Sequence, residues 1–238
     1  MSYFAERHLV DWLALRGDEP TVIGFERTGV WPLRQSYESV VARLGIDTII
    51  LIDGGTDSVV KGDEASLGTV EEDAASIVAV DQVVCAHKFL VCLGFGIDQF
   101  HGICHHSFLQ NTAELTRMGG FLGCVSVSGG TAEGDSTLDA VSFLNERQSR
   151  HKSIVSNSIA SAMRGEFGDS HATRRTAGSV LFINALMSLY WCYDLAAVAA
   201  KMGFYQAIAD TRTFREVENA IRLRHSGIAQ REWKVLPL

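Results

Sequence analysis

The chain has 238 residues, long enough to bury the core of a full domain. Hydrophobic residues make up 47% and charged residues 21%, which excludes a disordered or low-complexity chain. A formal net charge of −7 argues against a duplex nucleic-acid partner, because phosphate binding wants a basic face; it favours cations, small polar molecules or proteins.

Residues 1–17 carry Glu6, Arg7, His8 and Asp11, so no uninterrupted apolar stretch of a signal peptide is present there. Apolar residues 4, 9, 12, 13 and 15 predict a first helix over 3–15. Residues 21–26 (TVIGFE) read as a short strand. Gly29 and Pro32 punctuate a loop, and a helix over 36–44 stops at Gly45. Residues 47–53 (DTIILID) form the clearest strand. Its apolar run is continuous, as a strand covered on both faces requires. Thr69 and Glu72 have the spacing of a capping box before a helix over 70–83.

A second buried strand, 88–93 (KFLVCL), opens into Gly94-Phe95-Gly96-Ile97-Asp98. A helix over 99–118 and a strand over 121–128 follow. This alternation predicts parallel βαβ units with helices on both faces of the sheet. Beyond residue 137 the pattern is mainly helical, over 138–147, 153–164, 188–202 and 214–224, with one more strand at 178–183. The expectation is a single α/β domain over 1–238, with alternation over 1–136 and a mainly helical part over 137–238 packed on it. Residues 178–203 are nearly all apolar, but Asn184 and Asp194 interrupt them. Only about 15 uncharged residues precede Asp194, short of the ~20 that a membrane span needs, so a buried strand followed by a buried helix is expected. Five cysteines without a CxxC fit reduced thiols in a cytoplasmic protein.

Asp53-Gly54-Gly55-Thr56-Asp57-Ser58, then Lys61-Gly62-Asp63-Glu64 and Leu67-Gly68-Thr69, resemble the DUF1152 family. So do Gly94-Phe95-Gly96-Ile97-Asp98 with His101, Cys104 and His105, and the run Asn184-Ala185-Leu186-Met187-Ser188-Leu189-Tyr190-Trp191. The resemblance implies a Rossmann-like α/β fold and no particular activity. Members usually open with a strand that ends in a glycine-rich loop, and this chain lacks that opening. The resemblance therefore carries over no phosphate-cradling site and no catalytic residue.

Open α/β sheets bind ligands beyond the carboxyl ends of their strands. The loop Asp53, Gly54, Gly55, Thr56, Asp57 and Ser58 is the first candidate, with Asp63 and Glu64 close behind it. Two glycines permit positive φ and close backbone approach. Four acids with only Lys61 nearby repel bare phosphate and attract a divalent cation or a ligand bearing amines or hydroxyls. Turn and cap chemistry is the plainer account of the same residues. The second candidate is Asp98, His101 and His105, placed after Gly94 and Gly96 with metal-ligand spacing on an expected helix. Asp53, Asp57 and Asp98 are the candidate metal ligands, and His101 or His105 the candidate base. Cys104 between them reads as a buried thiol. Ser156 and Asn157 suggest a polar helix face, and Asp194 needs a partner.

Two functions remain open on these residues. One is a small-molecule enzyme with a polar, divalent-cation-dependent site at the strand ends. The other is a non-catalytic module that binds a nucleotide or metabolite. A homo-oligomer joined through residues 178–203 is a further expectation, with no nucleic acid and no membrane among the partners.

Overall fold

The computed structural model describes residues 6–148 and 152–236. Their contacts divide the chain into two units, Met1–Gly24 with Ser126–Ser188, and Phe25–Val125 with Leu189–Leu238. Each unit draws on both halves of the sequence.

The larger unit holds helix α2 (Val30–Leu44), strand β1 (Thr48–Asp53), helix α3 (Glu71–Asp81), strand β2 (His87–Cys92), helix α4 (His105–Arg117) and nearly all of strand β3 (Phe121–Ser126). After the other unit come strand β6 (Leu189–Asp194) and helices α7 (Leu195–Lys201), α8 (Tyr205–Ile208) and α9 (Phe214–Ser226). The smaller unit carries α1 (Arg7–Leu15), α5 (Ala132–Arg147), α6 (Ile154–Met163), β4 (Gly168–Asp169) and β5 (Phe182–Ile183). The fold is mixed α/β. Among the described residues no helix is long and apolar enough to cross a membrane.

The four-stranded sheet has the order β1-β2-β6-β3. β1 and β2 are parallel, with Asp53 beside Cys92, as the alternation predicts. β6 runs antiparallel to β2, with Val91 opposite Cys192. The bonds Val127 N to Ser188 O and Asp194 N to Gly120 O run β6 antiparallel to β3 as well. The expected all-parallel sheet is therefore interrupted by a reversed strand. Residues 188–202, whose pattern predicts one helix, are strand β6 followed by α7. Asp194 ends the strand, and its Oδ1 accepts the Ala197 amide at 2.8 Å as the α7 N-cap. This supplies the partner that Asp194 lacks in the sequence.

One face of the sheet is covered. Leu90, Cys92 and Tyr193 are buried there, with Ile77 and Val78 of α3 and Val198 of α7 in the same core. Trp191 packs on this face between Phe108 and Phe121, with ring centroids 5.2 and 6.1 Å away. On the other face Ile50 is 54% and Ile52 65% exposed, so helices on both faces are not present among the described residues. A continuous apolar run thus marks a strand here without two-sided cover.

Other boundaries shift for local reasons. Residues 21–26 pair with no strand, and Val22 and Ile23 are exposed. α2 starts at Val30, ahead of Pro32, because proline is tolerated in a first helical turn; it stops at Gly45 with φ of 65°. Residues 3–5 of the expected first helix lie outside the described residues. In the smaller unit the Trp12 indole donates to Asp139 at 2.8 Å, joining α1 to α5. The side-chain amides of Asn145 and Asn157 each donate a hydrogen bond to the other's Oδ1, at 2.7 and 3.1 Å, between α5 and α6. The polar face around Asn157 is accounted for by that pairing.

Candidate functional site

β1 and β2 are parallel neighbours, so the loops that follow them leave the sheet at the same edge. Asp53 is the last residue of β1. A 3₁₀ turn over Asp57–Val59 buries Asp57, and a second one over Ile97–His101 buries Asp98. The two loops are joined at Asp98, whose Oδ2 accepts the Thr56 amide at 2.6 Å. Gly55 is the reason they fit: a Cβ there would stand 2.5 Å from Asp98 Oδ2. Neither Gly54 nor Gly55 has positive φ, so close approach rather than backbone freedom is what Gly55 provides. Gly94 and Gly96 do have positive φ, 78° and 97°, and turn the chain from β2 into the second 3₁₀ segment.

Asp57 Oδ2 accepts both the amide and the hydroxyl of Thr69, at 2.7 and 3.1 Å. Thr69 is therefore occupied by Asp57 and caps no helix; the expected capping box is absent, and Val70 stands at the N-cap of α3. Gly68 permits this contact, with φ of 68° and a hypothetical Cβ 2.5 Å from Asp57 Oδ2. Asp53 Oδ2 accepts the Ser58 amide at 3.3 Å. The Ser58 Oγ is wholly buried beside that carboxylate and makes no hydrogen bond of good geometry.

A carboxylate outside the expected set of Asp53, Asp57 and Asp98 completes the cluster. Asp73 lies in the first turn of α3, and Asp53, Asp57 and Asp73 each place an oxygen within 4.8 Å of the others. Its spacing held a signal, because Ile77 and Val80, four and seven residues on, are buried, and Asp73 shares their side of the helix. Among the described residues no Lys, Arg or His pairs with Asp53, Asp57, Asp73 or Asp98. Burial, reinforced by the neighbouring carboxylates, pushes Asp53 up to about 6, Asp98 to about 7 and Asp73 to about 9. Asp53 and Asp73 line a cavity of about 170 Å³ with Tyr37, Leu51, Ser76 and Leu90.

The oxygen spread suits a cation. Opposite ligands of Mg²⁺ stand about 4.2 Å apart and those of Ca²⁺ about 4.6–5.2 Å. Three oxygens within 4.8 Å of one another can belong to one coordination sphere.

Other expected residues lie elsewhere. Asp63 and Glu64 hold Arg231: its Nε donates to Asp63 Oδ1 at 2.9 Å and its Nη2 to Glu64 Oε1 at 2.5 Å. Their acidity is neutralised there, outside the cluster. His101 and His105 are not one turn apart on a helix, because Gly102 with φ of 84° ends the 3₁₀ segment and α4 begins at His105. His101 is exposed, with its ring edge-on to Phe100. His105 stacks on Phe95 with centroids 5.0 Å apart, and burial lowers its pKa. Neither lines the cavity of Asp53 and Asp73. Cys104 Sγ contacts the Lys234 backbone, and all five thiols are free.

No curated protein and no solved structure matches the chain. A family model described as a protein of unknown function, DUF1152, matches residues 8–230. On that match over nearly its whole length, the chain belongs to the DUF1152 family.

Proposed function

We propose that the protein is a small-molecule enzyme whose site is a divalent cation held by Asp53, Asp57 and Asp73 at the carboxyl ends of β1 and β2. The observation that carries this reading is the convergence of three half-buried or buried carboxylates within 4.8 Å, with no basic partner among the described residues. Protons or a cation must offset such a cluster. A bound cation supplies Lewis acidity and draws an anionic or hydroxyl-bearing ligand to an otherwise repelling site. Asp53, Asp57 and Asp73 orient it. Asp98 keeps the two loops together through Thr56 and, with a pKa raised to about 7, can hold or release a proton at Oδ1 near neutral pH. The parallel pair β1 and β2 supports a ligand at the edge where both strands end. Five free thiols suit a cytoplasmic setting.

Titration calorimetry with MnCl₂ tests the reading. Wild type should bind one Mn²⁺, and Asp53→Asn should weaken binding by at least about tenfold, ~1.4 kcal/mol. No heat of binding for wild type refutes it. The exposed placement of His101 favours a second reading, a module that binds the same cation and ligand without turnover. Equal binding with no product formation distinguishes it.

A further inference from the structure

Beside the acidic cavity lies a second one of about 170 Å³, and the two share Tyr37 and Ser76 as a common wall. Its character differs. Phe25, Tyr37 and Phe214 line it, with Phe25 and Tyr37 edge-to-face at 4.8 Å between centroids. The cation in its lining, Arg27, is already committed: it pairs with Glu72 and lies 4.5 Å over the Phe214 ring. The groove therefore offers the rings of Phe25 and Tyr37 and the edge of Phe214, beside Glu26 and Thr28, and no free positive charge in its lining. An engineered apolar cavity of about 150 Å³ accommodates benzene, so each of these two is sized for one ring or one small polar group. Together they reach the lower end of the ~300–1,000 Å³ range of small-molecule sites.

We propose that the groove between Phe25, Tyr37 and Phe214 is a subsite for a planar aromatic or heteroaromatic ring, attached to an oxyanion tail that reaches the cation at the neighbouring carboxylates. The inference rests on the cation reading above and extends it by naming the substrate class. The orientation follows from charge. Arg27 is neutralised by Glu72, so an anionic tail gains nothing in the groove, whereas a cation held at Asp53 and Asp73 attracts it. The ring takes the aromatic end, where stacking and edge-to-face contacts add to area burial.

The test compares ring-bearing and ringless phosphates by calorimetry at saturating MnCl₂. The probes are adenosine 5′-monophosphate and phenyl phosphate against ribose 5-phosphate. At least one ring-bearing probe should bind about tenfold more tightly than ribose 5-phosphate, the return expected from one or two ring contacts. The double variant Phe25→Ala, Phe214→Ala should erase that advantage and leave the Mn²⁺ and ribose 5-phosphate affinities unchanged. Equal affinities for all three probes in wild type, or an advantage that survives the double variant, overturn the proposal. Should Mn²⁺ itself not bind, the cation reading fails separately. Adenosine, which has no anionic tail, then decides the groove alone: binding lost in the double variant supports it, and no binding overturns it.

Discussion

Replacing Asp73 by Asn should do opposite things to the protein with and without a divalent cation. Two carboxylate charges at the 4.8 Å outer limit of the cluster repel by about 3.5 kcal/mol at an effective dielectric constant near 20. In the metal-free protein this repulsion is relieved by protons, which is why burial and neighbouring charge raise Asp73 to about 9. The sign follows from linkage. The folded state keeps protons that the unfolded chain has released above pH ~4, so this stabilisation is present in acid and is lost as pH rises through about 6, 7 and 9. Thermal unfolding in EDTA should therefore show a melting temperature that falls from pH 6 to pH 9.

Asp73→Asn removes the last of these losses. Near pH 9 the variant should exceed wild type by about 1–3 kcal/mol, or roughly 2–4 °C per kcal/mol for a chain of this size. With MnCl₂ at a hundred times its dissociation constant, wild type gains about 2.7 kcal/mol, roughly 5–10 °C, and the variant should gain less than about 2 °C. A variant less stable than wild type in EDTA at pH 9, together with an unchanged Mn²⁺ shift, would refute the reasoning.

Three further outcomes check the local geometry. Gly68→Ala forces a side chain into positive φ and against Asp57, and should cost more than about 1 kcal/mol in urea unfolding while weakening Mn²⁺ binding; Gly45→Ala, with positive φ but open space, should leave Mn²⁺ binding intact. Arg231→Ala leaves Glu64, whose side chain is 3% exposed, without its charged partner, and should cost about 3 kcal/mol by the same measurement; a loss under 1 kcal/mol would mean that Asn111 and the amides of Lys61 and Gly62 satisfy it alone. Asp194→Ala removes the α7 cap and should lower the melting temperature by about 2–4 °C, with Asp194→Asn recovering most of it.

Much of this fold can be read along the chain. β1, β2 and β3 are short apolar runs ending in glycine or small polar residues, and the helices show apolar spacing or clear stops such as Gly45. The same local signals place Asp53, Asp57 and Asp98 at strand ends, because parallel neighbours deliver their loops to one edge. Those signals are properties of a few consecutive residues, and no partner is needed to produce them. Strand β6 is different. Residues 189–194 are aromatic and apolar enough to be helix or strand, and pairing between β2 and β3 holds them as an extended, reversed strand. Charge placement is also a tertiary matter. Asp63 and Glu64 are adjacent to the site in sequence, yet Arg231, more than 160 positions away, takes them out of it. Asp73 enters from the first turn of α3; its spacing places it on the buried side, and the packing of α3 in the core brings it to β1. Sequence alone determined β1, β2, β3 and most of the helices, and that the loops after β1 and β2 share an edge, because periodicity and turn chemistry act over a few residues. Which carboxylates meet was decided in three dimensions, since electrostatic neighbours are set by distance through space and not by separation along the chain.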